Sequence, residues 1–300
     1  MKQLVVLSGK GGTGKTSVAA ALAHLASQDL PLVLADADVD AANLELVLQP
    51  TRVEEHVFMG GQLASVDAGR CTLCGRCYEV CRFGAIIPGN GSQAYQVDPL
   101  ACEGCASCVY QCPEEAIHTE EEQAGLWFRS DTRFGPLFHA HLFAGRENSG
   151  KLVTMVKQQG RLLALDEGRE VLIVDGPPGI GCPVISASAG ADLALLVAEP
   201  TVSGIHDLER ILGTVDHFGV PPLVCINKAD LHLGHSEAIV AFCKSHGIQV
   251  APSLPYDTSV TAAMVQGQPV TAYQPQGRMA AALRDLWAQV RQSLEVGGFA

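Results

Sequence analysis

Eight of the eleven cysteines fall into two copies of one spacing. Cys71, Cys74, Cys77 and Cys81 are separated by two, two and three residues, and Cys102, Cys105, Cys108 and Cys112 repeat the pattern 31 residues later. A chain with this run must bring its thiolates together in fours. At this spacing three thiolates wrap three corners of an iron–sulfur cube, and the fourth ligand comes from the other half. The expected sets are Cys71, Cys74, Cys77 and Cys112 for one cluster, and Cys102, Cys105, Cys108 and Cys81 for the other. Paired C-x2-C groups also make zinc sites. The overlapping triples, each followed by a fourth cysteine, favour two [4Fe–4S] clusters. Pro113 follows Cys112 as it does in such runs, whereas Arg82 follows Cys81 and sets a cation beside the second set.

The rest of the chain is of another kind. Leu4–Leu7, Leu32–Ala35, Val171–Val174, Leu193–Val197 and Leu223–Ile226 are short apolar runs of strand length, and Leu137–Leu142 alternates as a further strand. Helical patterns lie between them at Lys15–Gln28, Ile205–Phe218 and Ser236–His246. Alternating strands and helices predict an α/β fold with a mostly parallel sheet covered by helices on both faces. The pattern stops at about residue 62 and resumes at about 122. The expected organisation is thus a discontinuous α/β domain, 1–61 and 123–300, with the cysteine-rich segment 62–122 as an inserted α+β domain of bacterial ferredoxin type. Pro88–Ser92, rich in glycine, is expected to turn between its halves. Residues 278–294 predict an amphipathic helix that packs on the sheet. Its polar face has few basic residues, so a membrane role is not favoured.

Composition narrows the setting. With 47% hydrophobic and 17% charged residues, the chain can bury a substantial core. Its formal charge of −12, before any cluster is counted, argues against a nucleic-acid surface. No apolar run approaches the ~20 residues that span a bilayer. The opening MKQLVVLSGKGG passes directly into a glycine-rich loop and does not read as an export signal. Together with cysteines spaced for iron, this suggests a reducing cytoplasm.

That loop, Gly9–Thr16, matches G-x4-G-K-[ST] between a strand and a helix. Backbone N–H groups of Gly11, Gly12, Thr13, Gly14, Lys15, Thr16 and Ser17 are expected to cradle phosphates at the positive end of the helix. Lys15 is expected to meet the β- and γ-phosphates, and Thr16 to hold Mg²⁺.

Lys10 extends the motif to K-G-G-x-x-G-K-T. In this the chain resembles the MinD/ParA/Mrp superfamily of P-loop ATPases, which includes the nitrogenase iron protein. The resemblance implies that Lys10 reaches the partner subunit's nucleotide and that ATP closes a homodimer. It implies that Asp38, in Asp36-Ala-Asp38, positions the attacking water, with Asp36 supporting it or the Mg²⁺ shell. The competing reading has Asp36, Asp38 and Asp40 capping the next helix. Asp175-Gly-Pro-Pro-Gly179 resembles a Walker B and switch II segment, so Asp175 is expected to hold Mg²⁺ and Gly179 to offer its N–H to the γ-phosphate. Asn227-Lys-Ala-Asp230 resembles a base-recognition loop in which Asn227 reads adenine. Glu147–Lys151, Asp175–Pro183 and Glu199–Arg210 resemble members of the superfamily that carry an inserted ferredoxin domain.

The implied activity is an ATPase coupled to electron transfer through two [4Fe–4S] clusters, with a redox partner protein that the sequence does not identify. Alternatives are an iron–sulfur carrier or scaffold of Mrp type, and a redox-sensing positioning ATPase. Cys182 resembles a cluster ligand of the nitrogenase iron protein in its offset from Asp175, but a buried thiol is the favoured reading. Cys225 and Cys243 sit in apolar patterns and are expected in the core. His139 and His141 alternate on a strand without other metal signals. Lys151 opens a helix and either touches phosphate or is solvated there.

Overall fold

A computed structural model describes residues 1–89, 91, 94–144 and 149–296. The chain divides into two compact units. The first contains Met1–Glu55, Trp127–His141 and Ser149 onward, and the second contains His56–Leu126 with a short stretch from Leu142.

The first unit is built on β1 (Lys2–Ser8), β2 (Leu32–Asp36), β7 (Pro136–Leu142), β8 (Val171–Pro178), β9 (Leu193–Ala198), β10 (Pro222–Ile226) and β11 (Gln249–Val250). Two long strands, β3 (Thr51–Val66) and β6 (Ile117–Asp131), begin or end in this unit and run on into the other. The sheet order is β11-β10-β9-β1-β8-β2-β7-β6-β3. All pairings among β1, β2, β7, β8, β9, β10 and β11 are parallel. Leu4–Leu7 and Leu32–Ala35 are almost wholly buried, as strands covered on both faces must be. The helices are α1 (Lys15–Ala26), α2 (Leu44–Leu48), α5 (Ser149–Asp166), α6 (Cys182–Ser188), α7 (Gly204–His217), α8 (Leu233–Ser245), α9 (Ser259–Val265), α10 (Val270–Tyr273) and α11 (Arg278–Val296). The C-terminal amphipathic pattern docks as expected: Leu283, Leu286, Trp287 and Val290 of α11 enter the same buried cluster as Leu22 of α1 and Leu195 of β9. Among the described residues no helix is long and apolar enough to cross a membrane.

The second unit holds two short helices, α3 (Arg76–Val80) and α4 (Ser107–Gln111), and an antiparallel hairpin of β4 (Ile86–Pro88) and β5 (Tyr95–Val97). Arg76 and Ser107 open the helices, and Val80 and Gln111 close them, so the 31-residue offset of the cysteine repeat is also the offset of the helices. The Pro88–Ser92 turn falls between β4 and β5, with Asn90 and Ser92 outside the described residues. The backbone repeats as well. Leu73 and Gly104, Gly75 and Ala106, and Gly84 and Glu115 are pairs at this same offset, and all six residues have positive φ. Three of the six are not glycine, and for them the left-handed region costs roughly 1–2 kcal/mol each. The unit's buried apolar cluster is Ala64, Ile86 and Ile117 together with Cys77 and Cys108. Among the described residues Phe58 is the one further large apolar side chain buried in this unit, so its apolar core is small.

The long strands β3 and β6 lie outside the apolar periodicity that revealed the other strands. Residues 51–55 of β3 are all exposed, so no burial pattern marks them.

Candidate functional site

The sequence after β1 cannot continue as a strand, because Gly12 and Gly14 have φ of 79° and 93°. Gly14 precedes α1, and a Cβ there would stand 2.4 Å from Asn227 Nδ2. Only glycine satisfies both the turn and the contact. The loop edges a cavity of about 580 Å³, within the range of small-molecule sites. Gly11 through Ser17, Asp38 and Asn227 line it, together with Lys228, Tyr256 and Met264.

Lys15 is nearly buried, with Nζ 3.9 Å from Asp38 Oδ2. Burial raises the proton affinity of Asp38, and the Lys15 charge opposes that rise. Asp36, the last residue of β2, is opposite Asp175, within β8. Asp36 accepts backbone N–H groups from Asp38 at 3.1 Å and from Leu44 at 3.0 Å. It is therefore Asp36, rather than Asp38 or Asp40, that receives an amide from the first residue of α2. Asp175 is fully buried, and among the described residues the Thr16 hydroxyl is the side-chain donor that approaches its carboxylate, without good hydrogen-bond geometry. Burial pushes Asp175 up to about 6, with Lys15 and Thr16 drawing it down and Asp38 raising it. Asp36 lies well above the usual carboxylate range, chiefly from burial and then from the Asp175 charge. Two adjacent buried acids form a donor set that suits a hard cation such as Mg²⁺, while Thr16 and Asp38 line the cavity itself.

One expectation is corrected, and two residues carry commitments the sequence did not show. Asn227 lines the cavity with part of its carboxamide engaged: its Nδ2 donates to the Thr13 carbonyl at 2.8 Å, and its Oδ1 accepts the Lys228 N–H at 2.9 Å. It braces the phosphate loop from the end of β10. Gly179 already donates its N–H to the Ser8 carbonyl at 2.9 Å, so that amide is not free for phosphate. Cys182 is exposed at the start of α6 and is not a buried thiol. Cys225 and Cys243 are fully buried, and burial pushes them up to about 12 and about 11.

Lys10 does not line the nucleotide cavity. Its Nζ donates to Thr201 Oγ1 at 2.7 Å and lies 3.6 Å from Glu199. Glu199 also pairs with Lys228 Nζ at 2.7 Å. This network around Glu199 escaped sequence reasoning because its members come from three separate strand ends. Lys151 is exposed on the first turn of α5, away from the cavity lining, and Glu147 and Asn148 of the same motif lie outside the described residues.

In the second unit the eight spaced cysteines surround two separate hollows. Cys71, Cys74, Cys77 and Cys112 line one with Tyr95 and Ile117. Cys81, Cys102, Cys105 and Cys108 line the other with Ala64 and Ile86. Among the described residues no three cysteine sulfurs all lie within 4.8 Å of one another. Four thiolates on one zinc ion stand about 3.8 Å apart, given Zn–S bonds near 2.3 Å. Positive φ at Leu73 and Gly75, with Cys74 between them, alternates the hand of the backbone, as it does at Gly104 and Ala106 around Cys105. Such alternation turns successive N–H groups toward one point and makes a concavity suited to anions. The Ala116 N–H donates to Cys112 Sγ at 3.3 Å. Burial raises Cys77 and Cys108, whereas the Ser107 hydroxyl lowers Cys105.

A parallel sheet with a phosphate loop after its central strand, and with acids on neighbouring strands, defines a P-loop nucleotide-binding protein. The chain belongs to the CobQ/CobB/MinD/ParA nucleotide binding domain family, which it matches over residues 4–270. It is 32% identical over 232 residues to an uncharacterized protein of Methanocaldococcus jannaschii, covering 77% of this chain and 79% of that protein. It is 25% identical to the septum site-determining protein MinD of Bacillus subtilis, over 94% of this chain and 86% of that one. Among solved structures, the septum site-determining protein MinD complexed with Mg-ADP from Pyrococcus horikoshii OT3 superposes with a TM-score of 0.60 at 18% identity, covering 100% of this chain and 99% of that one.

Proposed function

We propose that this protein is an ATPase whose nucleotide state is coupled to electron transfer through two [4Fe–4S] clusters held by its second unit. The observation that carries the proposal is the division of eight cysteines between two hollows, each taking three from one half of the repeat and one from the other. That is the ligand exchange expected of a two-cluster ferredoxin domain. The small apolar core of the unit supports the same reading, since bound metal would replace missing burial. When bound, the clusters would supply one-electron chemistry. The chain's part is to hold them, shield Cys77 and Cys108, and set backbone amides around Cys74 and Cys105.

On the nucleotide side, Lys15 and the loop amides would bind phosphates, Thr16, Asp36 and Asp175 would hold Mg²⁺, and Asp38 would orient water. Lys10 would leave Thr201 and Glu199 to act across an ATP-closed homodimer. The chain passes from Asp36 through α2 directly into β3, which leads to the second unit. A nucleotide-dependent change at Asp36 and Asp38 thus has a short covalent route to the cysteines.

The test is a redox titration of anaerobically reconstituted protein with and without a non-hydrolysable ATP analogue. A coupling of 1–3 kcal/mol corresponds to a shift of roughly 40–130 mV for a one-electron couple. An unchanged potential, together with unchanged electron delivery to an artificial acceptor, would refute the coupling.

A further inference from the structure

Glu45, His139 and His141 converge in the nucleotide-binding unit, outside the nucleotide cavity. His139 and His141 are two apart on β7, which places both imidazoles on one face of the strand. Glu45 comes from α2, whose first residue is tied to Asp36. His139 Nδ1 lies 3.1 Å from Glu45 Oε2, and His141 Nε2 lies 3.3 Å from Glu45 Oε1. One ligand atom from each residue can be chosen so that all lie within 4.8 Å of one another. Three donors on one tetrahedral zinc, at 2.0–2.1 Å each, stand about 3.3 Å apart.

The protein alone does not satisfy these atoms. His139 Nδ1 and His141 Nε2 are both buried, yet among the described residues neither forms a hydrogen bond, although Glu45 oxygens stand 3.1 and 3.3 Å away. The His139 side chain is 2% exposed. Its other nitrogen, Nε2, is 2.9 Å from the buried Ser130 hydroxyl. With Nε2–H donated to Ser130, Nδ1 is an acceptor 3.1 Å from another acceptor, the Glu45 carboxylate. Two acceptors that close repel one another unless a proton or a metal cation stands between them. A ring fixed by a partner on its second nitrogen is the usual support of a metal-binding imidazole. Phe128 walls the cluster, with its ring centroid 5.1 Å from that of His139 and 5.5 Å from that of His141. Arg52 lies over the Phe128 ring and would oppose a cation, but its guanidinium is paired with Glu55 at 2.8 Å. His141 is half-exposed, which leaves an approach for the ion and for a water in a fourth position.

We infer that Glu45, His139 and His141 form a binding site for a divalent transition metal, with Zn²⁺ an ion that a two-histidine, one-carboxylate set holds. The ion would tie α2 to β7, and so fix the segment that follows Asp36 and Asp38. The site stands whether or not the cysteines hold iron.

Zinc binding to the full chain, measured by competition with a fluorescent chelator, tests the inference when wild type is compared with Glu45→Gln and His141→Ala. The cysteines are the same in all three proteins, so the difference isolates this cluster. Wild type is expected to bind one zinc more per chain than either variant, or to bind it at least 100-fold more tightly, while nucleotide binding stays equal. Anomalous scattering at the zinc edge is expected between Glu45 and His139. Equal zinc stoichiometry and affinity in all three proteins, or anomalous scattering only at other residues, would overturn it.

Discussion

Asp36 and Asp175 bring two carboxylates together on neighbouring strands with almost no access to water. Their folded-state pKa values lie above the unfolded one, so the folded protein binds more protons than the unfolded chain as pH falls through about 6. Under the proposed assignment of Mg²⁺ to these carboxylates, the ion competes with those protons. Mg²⁺–nucleotide affinity is therefore expected to fall about tenfold per pH unit below pH 6, and Asp175→Asn to weaken binding and flatten that dependence. Calorimetric titration between pH 5 and pH 8 reads both effects. Lys10 offers a separate check, since it lies off the cavity wall. Lys10→Ala is expected to leave the ATP Kd within about twofold while lowering kcat about 10²-fold or more, in line with the loss of one charged transition-state contact. A loss of binding equal to the loss of turnover would place Lys10 in the cis site instead. The motif residues were legible because the phosphate loop fixes spacing along one short segment. The commitments of Asn227 to Thr13, and of Gly179 to Ser8, were not, because each joins segments distant in sequence and only packing brings them together.

At the scale of elements, the buried strands could be read from the sequence because both faces are covered and the apolar runs are unbroken. β3 and β6 could not, since burial along them is patchy and no apolar period marks them. The C-terminal helix was legible through its stripe, and the same stripe predicts its energetics. Leu286 is fully buried on α11, so Leu286→Ala is expected to cost about 2–5 kcal/mol in denaturant unfolding, whereas a change at an exposed position of the same helix costs little. The α3 and α4 repeats carry a subtler signature. Ala106 occupies a left-handed position whose counterpart, 31 residues earlier, is Gly75. Ala106→Gly should stabilise the second unit by about 1 kcal/mol, as relief of the Cβ clash outweighs the added chain entropy. A destabilisation of similar size would mean that the left-handed turn is not held in solution.

At the scale of the molecule, two units with unequal apolar cores share one chain. The nucleotide-binding unit has a broad apolar core, while the second unit has cysteines where such a core would be. The double cysteine run announced this in the sequence, and the shared 31-residue offset of thiols, helices and left-handed residues gives it structural form. The boundaries were less legible: the compact unit runs His56–Leu126, whereas composition alone suggested 62–122, because the exposed stretches of β3 and β6 contain neither cysteines nor apolar periods. The most direct measurement is the iron and acid-labile sulfide content of the chain after anaerobic reconstitution, made on wild type and on Cys112→Ser and Cys81→Ser. Eight irons and eight sulfides per wild-type chain are expected, with each variant perturbing a different one of two spectroscopically distinct clusters. Zinc in place of iron, or no more than four irons per fully reconstituted chain, would contradict the two-cluster assignment.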